Sequence, residues 1–158
     1  DHYVAAVGCV PGLRGDIIGE GPERMALQRL ADQKSGGRVL LRGAVANIAQ
    51  MLPAYDCLVL SSVREGCPLV AIEAFAAGVP VVGYDVPGVR DALSDFGRGI
   101  LVPVSDGPAG LARALSSLHD DPALQLGWIR DAERAVELCK PTAVAGGLLK
   151  AYRQALAR

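Results

Sequence analysis

The chain has 158 residues, of which 51% are apolar and 21% are charged, and its formal net charge at pH 7 is −1. A chain of this length can bury a sizeable core as one domain, and its interspersed charges provide no basic surface for nucleic acid. The sequence contains no run of about eighteen apolar residues that could span a bilayer and no basic-then-apolar signal pattern.

The amino-terminal segment predicts two strands that lie too close together in sequence to be parallel neighbours. Residues 3–8 (YVAAVG) form an apolar run that ends in glycine, and residues 14–18 form the next run. Parallel neighbours need a connection of about a dozen residues or more. We therefore expect either a hairpin or a missing segment of about twenty residues between Gly8 and roughly Val10, and we favour the missing segment.

The next elements continue an alternation of strands and helices. Apolar residues recur at helical spacing between Pro22 and Gly36, which predicts an amphipathic helix. Residues 39–43 (VLLRG) predict a strand that ends in glycine, and residues 46–52 predict a short helix. This alternation is typical of an α/β domain.

The centre of the chain predicts a strand, a helix and a second strand. Residues 56–61 and 79–84 are short apolar runs, typical of strands that are covered on both faces. Pro68 suits the first helical position, and Gly78 suits the left-handed residue that ends a helix, so we predict a helix over residues 68–77. Together the three elements predict one right-handed βαβ unit.

Two glutamates fall where parallel sheets bind ligands. Glu65 follows the first of these strands and precedes a helix N-terminus, whose free N–H groups favour an anion such as phosphate. Glu73 lies further along that helix among apolar residues, where a lone carboxylate is costly to bury without a partner. Either both glutamates are solvated surface charges, or both point into one cleft and accept hydrogen bonds from a ligand's hydroxyl groups.

The rest of the chain predicts further helices and one more strand. The strand covers residues 99–102, and the helices cover residues 88–93, 106–118, 122–139 (with Trp128) and 141 onward. The sequence has no internal repeat and no interdomain linker, so we expect one domain over residues 1–158.

Residues 65–74 (EGCPLVAIEA), followed by residues 77–82 (AGVPVV), resemble a known family. They are similar to the E-x7-E region of retaining glycosyltransferases of family 4, in the carboxy-terminal, donor-binding domain. The resemblance extends over nearly the whole chain, through residues 17–22 (IIGEGP), 39–43, 87–91 and 99–103.

This resemblance implies a Rossmann-like domain with six parallel strands in the order 3-2-1-4-5-6 and helices on both faces. It implies transfer of a sugar from a nucleotide diphosphate sugar to an acceptor glycan, lipid or small molecule, with retention at the anomeric carbon. No metal or other cofactor is expected, because a helix dipole and basic side chains would stabilise the leaving diphosphate. An amino-terminal domain absent from this sequence would bind the acceptor, so the isolated chain is expected to be inactive.

The resemblance also implies roles for individual residues. Glu65 would be the catalytic residue, binding the donor sugar's hydroxyl groups near the reacting centre, and Glu73 would bind the ribose hydroxyls. The other donor-binding positions would be Gly19, Gly43, Val45, Gly66, Cys67, Leu69 and Val70. Cys67 departs from the aromatic residue common in the family, which bears on sugar preference. No residue matches the family's Arg and Lys that clamp the diphosphate, which the resemblance places in the segment that we expect to be missing.

Two other functions are compatible with this sequence: a donor-binding fragment without activity of its own, and a sugar-nucleotide epimerase of the same architecture. An epimerase needs histidine or acid–base residues in its cleft, and neither His2 nor His119 follows a predicted strand. The four cysteines include no C-x-x-C pair, which argues against a zinc site and for free thiols in a reducing compartment. We therefore expect a cytoplasmic protein, with association at the inner face of the membrane as an alternative.

Overall fold

The computed structural model describes residues 1–96, 99–121, 137 and 140–156. The predicted helix over residues 122–139 lies outside the described residues, apart from residue 137. In chain order the elements are α1 (His2–Cys9), β1 (Gly15–Ile18), α2 (Arg24–Ser35), β2 (Val39–Gly43), β3 (Leu58–Leu60), α3 (Leu69–Ala76), β4 (Val81–Tyr84), α4 (Pro87–Phe96), β5 (Gly99–Val102), α5 (Gly107–Asp120) and α6 (Pro141–Leu156). Short 3-10 turns at Ile48–Gln50 and Leu52–Ala54 replace the short helix predicted over residues 46–52.

All strand pairs in the described part of the chain are parallel, which confirms the predicted α/β class. β1 pairs with β2, β3 pairs with β4, and β4 pairs with β5. β1 to β5 correspond to the second to sixth predicted strands, and the expected order 3-2-1-4-5-6 contains these three pairs. No described strand lies between β1 and β3, so the sheet is divided into the parts β1-β2 and β3-β4-β5.

The prediction of a strand over residues 3–8 is wrong, because these residues form α1. The Asp1 side chain accepts a hydrogen bond from the N–H of His2, and Val4 and Val7, three residues apart, lie on the buried face of the helix. A short apolar run does not distinguish a strand from a buried helix. Because α1 is not a strand, it needs no crossover before β1, and the reason to expect a missing segment between Gly8 and Val10 no longer holds.

Arg38 holds the carboxyl end of α1. Its Nη1 donates to the carbonyl oxygens of Val7, Val10 and Leu13 at 2.9, 2.7 and 2.9 Å, and its Nη2 donates to that of Gly8 at 3.1 Å. The last carbonyl groups of a helix lack intrahelical donors, and the guanidinium fork supplies several donors at once. A residue that precedes β2 therefore fixes the connection between α1 and β1.

The predicted βαβ unit is confirmed, since α3 joins the parallel strands β3 and β4. Pro68 is the cap residue that precedes α3 rather than its first helical residue. Gly78 has a φ of 73°, the left-handed conformation expected after a helix end.

Two apolar clusters form the core. The larger one packs β3, β4 and β5 against α3, α4 and α5, and the smaller one contains Val4, Val7, Ala31 and Val39. α1 joins the two, because its Ala6 belongs to the larger cluster. All four residues of β4 are buried, so both faces of the sheet are covered at this strand, and β4 contacts α3, α4 and α5.

The carboxy-terminal helix α6 is exposed. Its apolar side chains Leu148, Leu149, Tyr152 and Leu156 are all more than half exposed, at 55%, 55%, 66% and 88%. Of the described helices, none is both long enough and apolar enough to cross a bilayer.

Candidate functional site

Two glycine turns lie at the carboxyl edge of the sheet, where open α/β sheets bind ligands. Gly19 follows β1 with a φ of 134°, and Gly43 ends β2 with a φ of 78°. Both values lie in the region that residues with a Cβ rarely adopt. The N–H of Gly19 donates to the carbonyl oxygen of Gly43 at 2.8 Å, so the two turns form one unit.

An ion pair holds the turn after β1. Arg24 Nη1 lies 2.9 Å from Glu20 Oε1, and Arg24 Nη2 donates to the carbonyl oxygen of Leu41 at 3.1 Å. A Cβ at Gly43 would lie 2.8 Å from Glu20 Oε1 and would displace that carboxylate, whereas the φ of Gly43 is what requires glycine. We did not predict this pair, although its i, i+4 spacing is a signal that the sequence contains.

Glu65 lies half-buried in the loop between β3 and α3, and the start of α4 holds this loop. The N–H of Gly88 donates to the carbonyl oxygen of Glu65 at 3.2 Å. A Cβ at Gly88 would lie 2.4 Å from that oxygen and 2.6 Å from the carbonyl carbon and oxygen of Gly66. The loop therefore approaches the backbone of α4 too closely for any residue other than glycine.

Glu73 is half-buried on α3. Within the described ranges, neither its carboxylate nor that of Glu65 has a hydrogen-bonding or ion-pairing partner. By contrast, Asp85 at the end of β4 is engaged by Arg90, whose Nε lies 2.7 Å from its carboxylate. The two glutamates can thus accept hydrogen bonds from a ligand, and the first N–H groups of α3 lie between them in sequence without intrahelical acceptors.

The predicted donor-binding residues divide into two groups. Gly19, Val45 and Val70 line a cleft of about 630 Å³ between β1 and β3. The others do not line this cleft: Gly43 is buried beside Glu20, while Glu65, Gly66, Cys67, Leu69 and Glu73 belong to α3 and the loop before it. Cys67 is exposed and Leu69 is 68% exposed, so this end of α3 faces solvent.

Tyr3, Asp16, Tyr55 and Cys57 line the cleft. Asp16 Oδ2 accepts from Arg42 Nε at 2.9 Å and from the Tyr55 hydroxyl at 2.7 Å. Burial raises the pKa of both Tyr3 and Cys57 to about 12. Cys57 is therefore a neutral thiol rather than a nucleophile. In the described part of the chain, no three His, Cys, Asp or Glu residues cluster so that they could hold a metal ion.

Parallel strand pairs covered by helices, with two glycine turns at their carboxyl edge, define an α/β domain of the Rossmann-like class. Residues 5–121 match the family described as glycosyl transferases group 1, and the chain belongs to this family.

Similar proteins agree with this assignment. The chain is 33% identical over 155 residues to the lipopolysaccharide core biosynthesis glycosyltransferase LpsE of Rhizobium meliloti (strain 1021), covering 98% of this chain and 44% of LpsE. It is similar to the structure of sucrose-phosphate synthase from Thermosynechococcus elongatus, with a TM-score of 0.78, 30% identity and coverage of 99% and 42%. The Anabaena protein HepE in complex with UDP and glucose has the same fold, with a TM-score of 0.77, 20% identity and coverage of 96% and 44%.

The family assignment confirms the predicted glycosyltransferase family, and the structural similarity confirms the predicted GT-B-type fold. The chain spans less than half of the length of each of these three proteins.

Proposed function

We propose that this chain is the donor-binding, carboxy-terminal domain of a retaining glycosyltransferase of family 4, and that it binds a nucleotide diphosphate sugar. One observation carries the proposal: two half-buried glutamates without a described partner lie on either side of an exposed helix N-terminus. A sugar nucleotide offers hydroxyl donors for the carboxylates and a diphosphate for the N–H groups. Membership of the glycosyl transferases group 1 family supports this ligand class.

Each part of the ligand has a place in this proposal. Glu73 accepts from the ribose hydroxyls, and Glu65 accepts from hydroxyls of the donor sugar near the reacting carbon. The N–H groups of Gly66, Cys67, Leu69 and Val70 face the sugar and the phosphates. The base lies against the turn after β2, beside Gly43 and Val45, with Gly19 on the neighbouring turn. The hydrogen bond between Gly19 and Gly43 supports this grouping.

The transfer itself breaks the bond between the anomeric carbon and a diphosphate oxygen, and the oxygen of an acceptor hydroxyl bonds to that carbon on the same face of the sugar. The hydroxyl proton passes to the departing diphosphate oxygen. Negative charge grows on the departing diphosphate. The N-terminus of α3 stabilises that charge through its free N–H groups and its dipole. Glu65 orients the sugar as its ring carbon becomes electron-poor. These steps need no metal ion.

The acceptor is bound by a second domain in this proposal. Two observations support it: the chain spans 44% of LpsE, and α6 exposes a row of apolar side chains that a packed domain would cover. The isolated chain is therefore a donor-binding unit, and it catalyses transfer only when a cleft closes over both substrates.

Isothermal titration calorimetry of the chain with UDP, GDP and ADP tests the proposal. One nucleotide is expected to bind, and Glu73→Gln is expected to weaken it about tenfold or more, because hydrogen bonds to a charged acceptor contribute about 1.5–3 kcal/mol. Asp32→Asn is the matched control. It neutralises an exposed carboxylate near the carboxyl end of α2, at a residue with no proposed role in donor binding. Equal binding by the Glu73 variant and the wild type would exclude the assigned role of Glu73. No binding of any nucleotide at millimolar concentration would contradict the donor-site proposal for this chain.

A further inference from the structure

Two charged side chains, Glu20 and Arg24, lie beside the turn that ends β2. Glu20 Oε1 accepts from Arg24 Nη1 at 2.9 Å, and Arg24 Nη2 donates to the carbonyl oxygen of Leu41 at 3.1 Å. A Cβ at Gly43 would lie 2.8 Å from Glu20 Oε1 and 3.7 Å from Arg24 Nη1. The pair is therefore held against the turn at the carboxyl edge of the sheet, where open α/β sheets bind ligands.

This ion pair leaves polar atoms open to a ligand. The side chains of Arg24 and Glu20 are 41% and 54% exposed, and exposed ion pairs contribute little to the free energy of unfolding. In the described part of the chain, Glu20 Oε2 and the remaining N–H groups of Arg24 have no partner. A free acceptor and free donors thus lie next to each other beside Gly43.

The chemistry of the two side chains determines which ligand edge would suit them. A carboxylate only accepts hydrogen bonds, and a guanidinium only donates them. Because Glu20 Oε1 is engaged by Arg24, the free Oε2 requires a donor from the ligand. A complementary ligand edge carries an N–H group for Glu20 and an acceptor beside it for Arg24.

Uracil and guanine carry such an edge. The N3–H of uracil and the N1–H of guanine each lie beside a ring carbonyl group, and proteins recognise bases through this edge. These ring N–H groups are acidic for nitrogen and are therefore strong donors to a carboxylate. Adenine has no ring N–H on this edge and offers only an exocyclic amine, which is far less acidic and donates more weakly.

We propose that Glu20 recognises the base of the sugar nucleotide and accepts, through Oε2, from a ring N–H of uracil or guanine. Arg24 holds the carboxylate in position and donates to the neighbouring carbonyl oxygen of the base. The inference rests on the proposed function, which places the base beside Gly43 and Val45. It adds a side chain that distinguishes one base from another to the backbone of the two glycine turns.

Calorimetry with nucleotides and their N-methylated analogues tests this assignment. UDP is compared with UDP methylated at N3, and GDP with GDP methylated at N1, because the methyl group replaces the ring N–H. In the wild-type chain, methylation is expected to weaken the nucleotide that binds about tenfold or more, because it removes a hydrogen bond to a charged acceptor. ADP is expected to bind more weakly than that nucleotide.

Glu20→Gln reverses the polarity of the free atom. The amide oxygen can replace Oε1 as the acceptor for Arg24, and the amide nitrogen then presents a donor to the ring N–H of the base. This variant is expected to bind the unmethylated nucleotide about tenfold more weakly and to lose little more on methylation. Glu23→Gln is the matched control, because Glu23 is an exposed carboxylate next to α2 that makes no side-chain cap hydrogen bond. The control should leave every affinity unchanged.

The outcomes separate this inference from the proposed function. A full loss on methylation in Glu20→Gln, or equal binding by this variant and the wild type, would overturn the role of Glu20 and leave the donor-site proposal intact. Tighter binding of ADP than of UDP and GDP would overturn the assigned bases. If no nucleotide bound at millimolar concentration, the proposed function would fail, and the role of Glu20 would fail with it.

Discussion

The N–H of Gly88, in the first turn of α4, donates to the carbonyl oxygen of Glu65 at 3.2 Å, and the two backbones are in direct contact. This contact couples the loop that carries one unpaired glutamate to a helix on the next βα unit. It makes α4 a determinant of where Glu65 points, although α4 itself provides no residue among those proposed to bind the donor.

Gly88→Ala is expected to displace the Glu65 loop, because the added Cβ would lie 2.4 Å from the Glu65 carbonyl oxygen. Binding of a sugar nucleotide should weaken more than binding of the same nucleotide without the sugar, since Glu65 is assigned to the sugar. Calorimetry with both ligands measures the difference. Gly146→Ala is the matched control, because a Cβ there would meet no atom within 4 Å. Equal weakening of both ligands would contradict the assigned position of Glu65.

Arg38→Ala is expected to destabilise the chain by about 2–3 kcal/mol, because it leaves carbonyl groups at the end of α1 without a donor. Arg38→Lys should recover only part of the loss, since an ammonium group cannot reproduce the planar fork. Urea unfolding measures both variants. Arg29→Ala, an exposed change on α2, should alter stability by no more than about 0.5 kcal/mol. If Arg38→Ala lowered the free energy of unfolding no more than this control, the hydrogen bonds of the Arg38 guanidinium would not stabilise the end of α1.

The chain is expected to lose stability in alkaline solution because of Tyr3 and Cys57. Burial raises the pKa of Tyr3 from 10.0 and that of Cys57 from 9.0 to about 12 in the folded chain. The unfolded chain therefore releases these protons at lower pH than the folded chain. Tyr3 and Cys57 therefore contribute their full share of the free energy of unfolding below about pH 9, and this share is lost as the pH rises toward about 12.

Urea midpoints at about pH 8 and about pH 10.5 measure this loss. The double variant Tyr3→Phe and Cys57→Ala should lose less stability between the two pH values than the wild type. The pair Tyr152→Phe and Cys9→Ala is the matched control, because both side chains are exposed. An identical pH dependence in the wild type and in the Tyr3 and Cys57 variant would refute the explanation.

The isolated chain is expected to transfer no sugar, because the proposed acceptor domain is not part of it. Incubation with UDP-glucose, GDP-mannose or ADP-glucose and mixed acceptors, followed by measurement of free nucleotide and new glycoside, tests this. Transfer by the purified chain would show that the described elements hold the acceptor as well.

Much of the local structure could be predicted because its signals lie within a few residues. The strand at residues 39–43 and the strand at residues 99–102 have the predicted bounds. Gly36 and Gly78 both take the left-handed conformation at helix ends. The candidate site was predicted only in part. The positions of Glu65 after a strand and of Glu73 on the next helix were recognised from the sequence, and their roles stay predictions, whereas the contact of Gly88 with the Glu65 loop was not predicted.

The sequence by itself determined the α/β class, the parallel βαβ unit and the glycine turns, because hydrophobic period, helix ends and left-handed glycines are properties of neighbouring residues. Only the tertiary structure decided that residues 3–8 are a helix, because a run of six apolar and small residues is compatible with either element and packing on α2 and α5 selects one. The hydrogen bonds of Arg38 to α1 and the approach of Gly88 to Glu65 were decided in the same way. Each depends on segments far apart in the chain, and no local pattern records which distant backbone will come close.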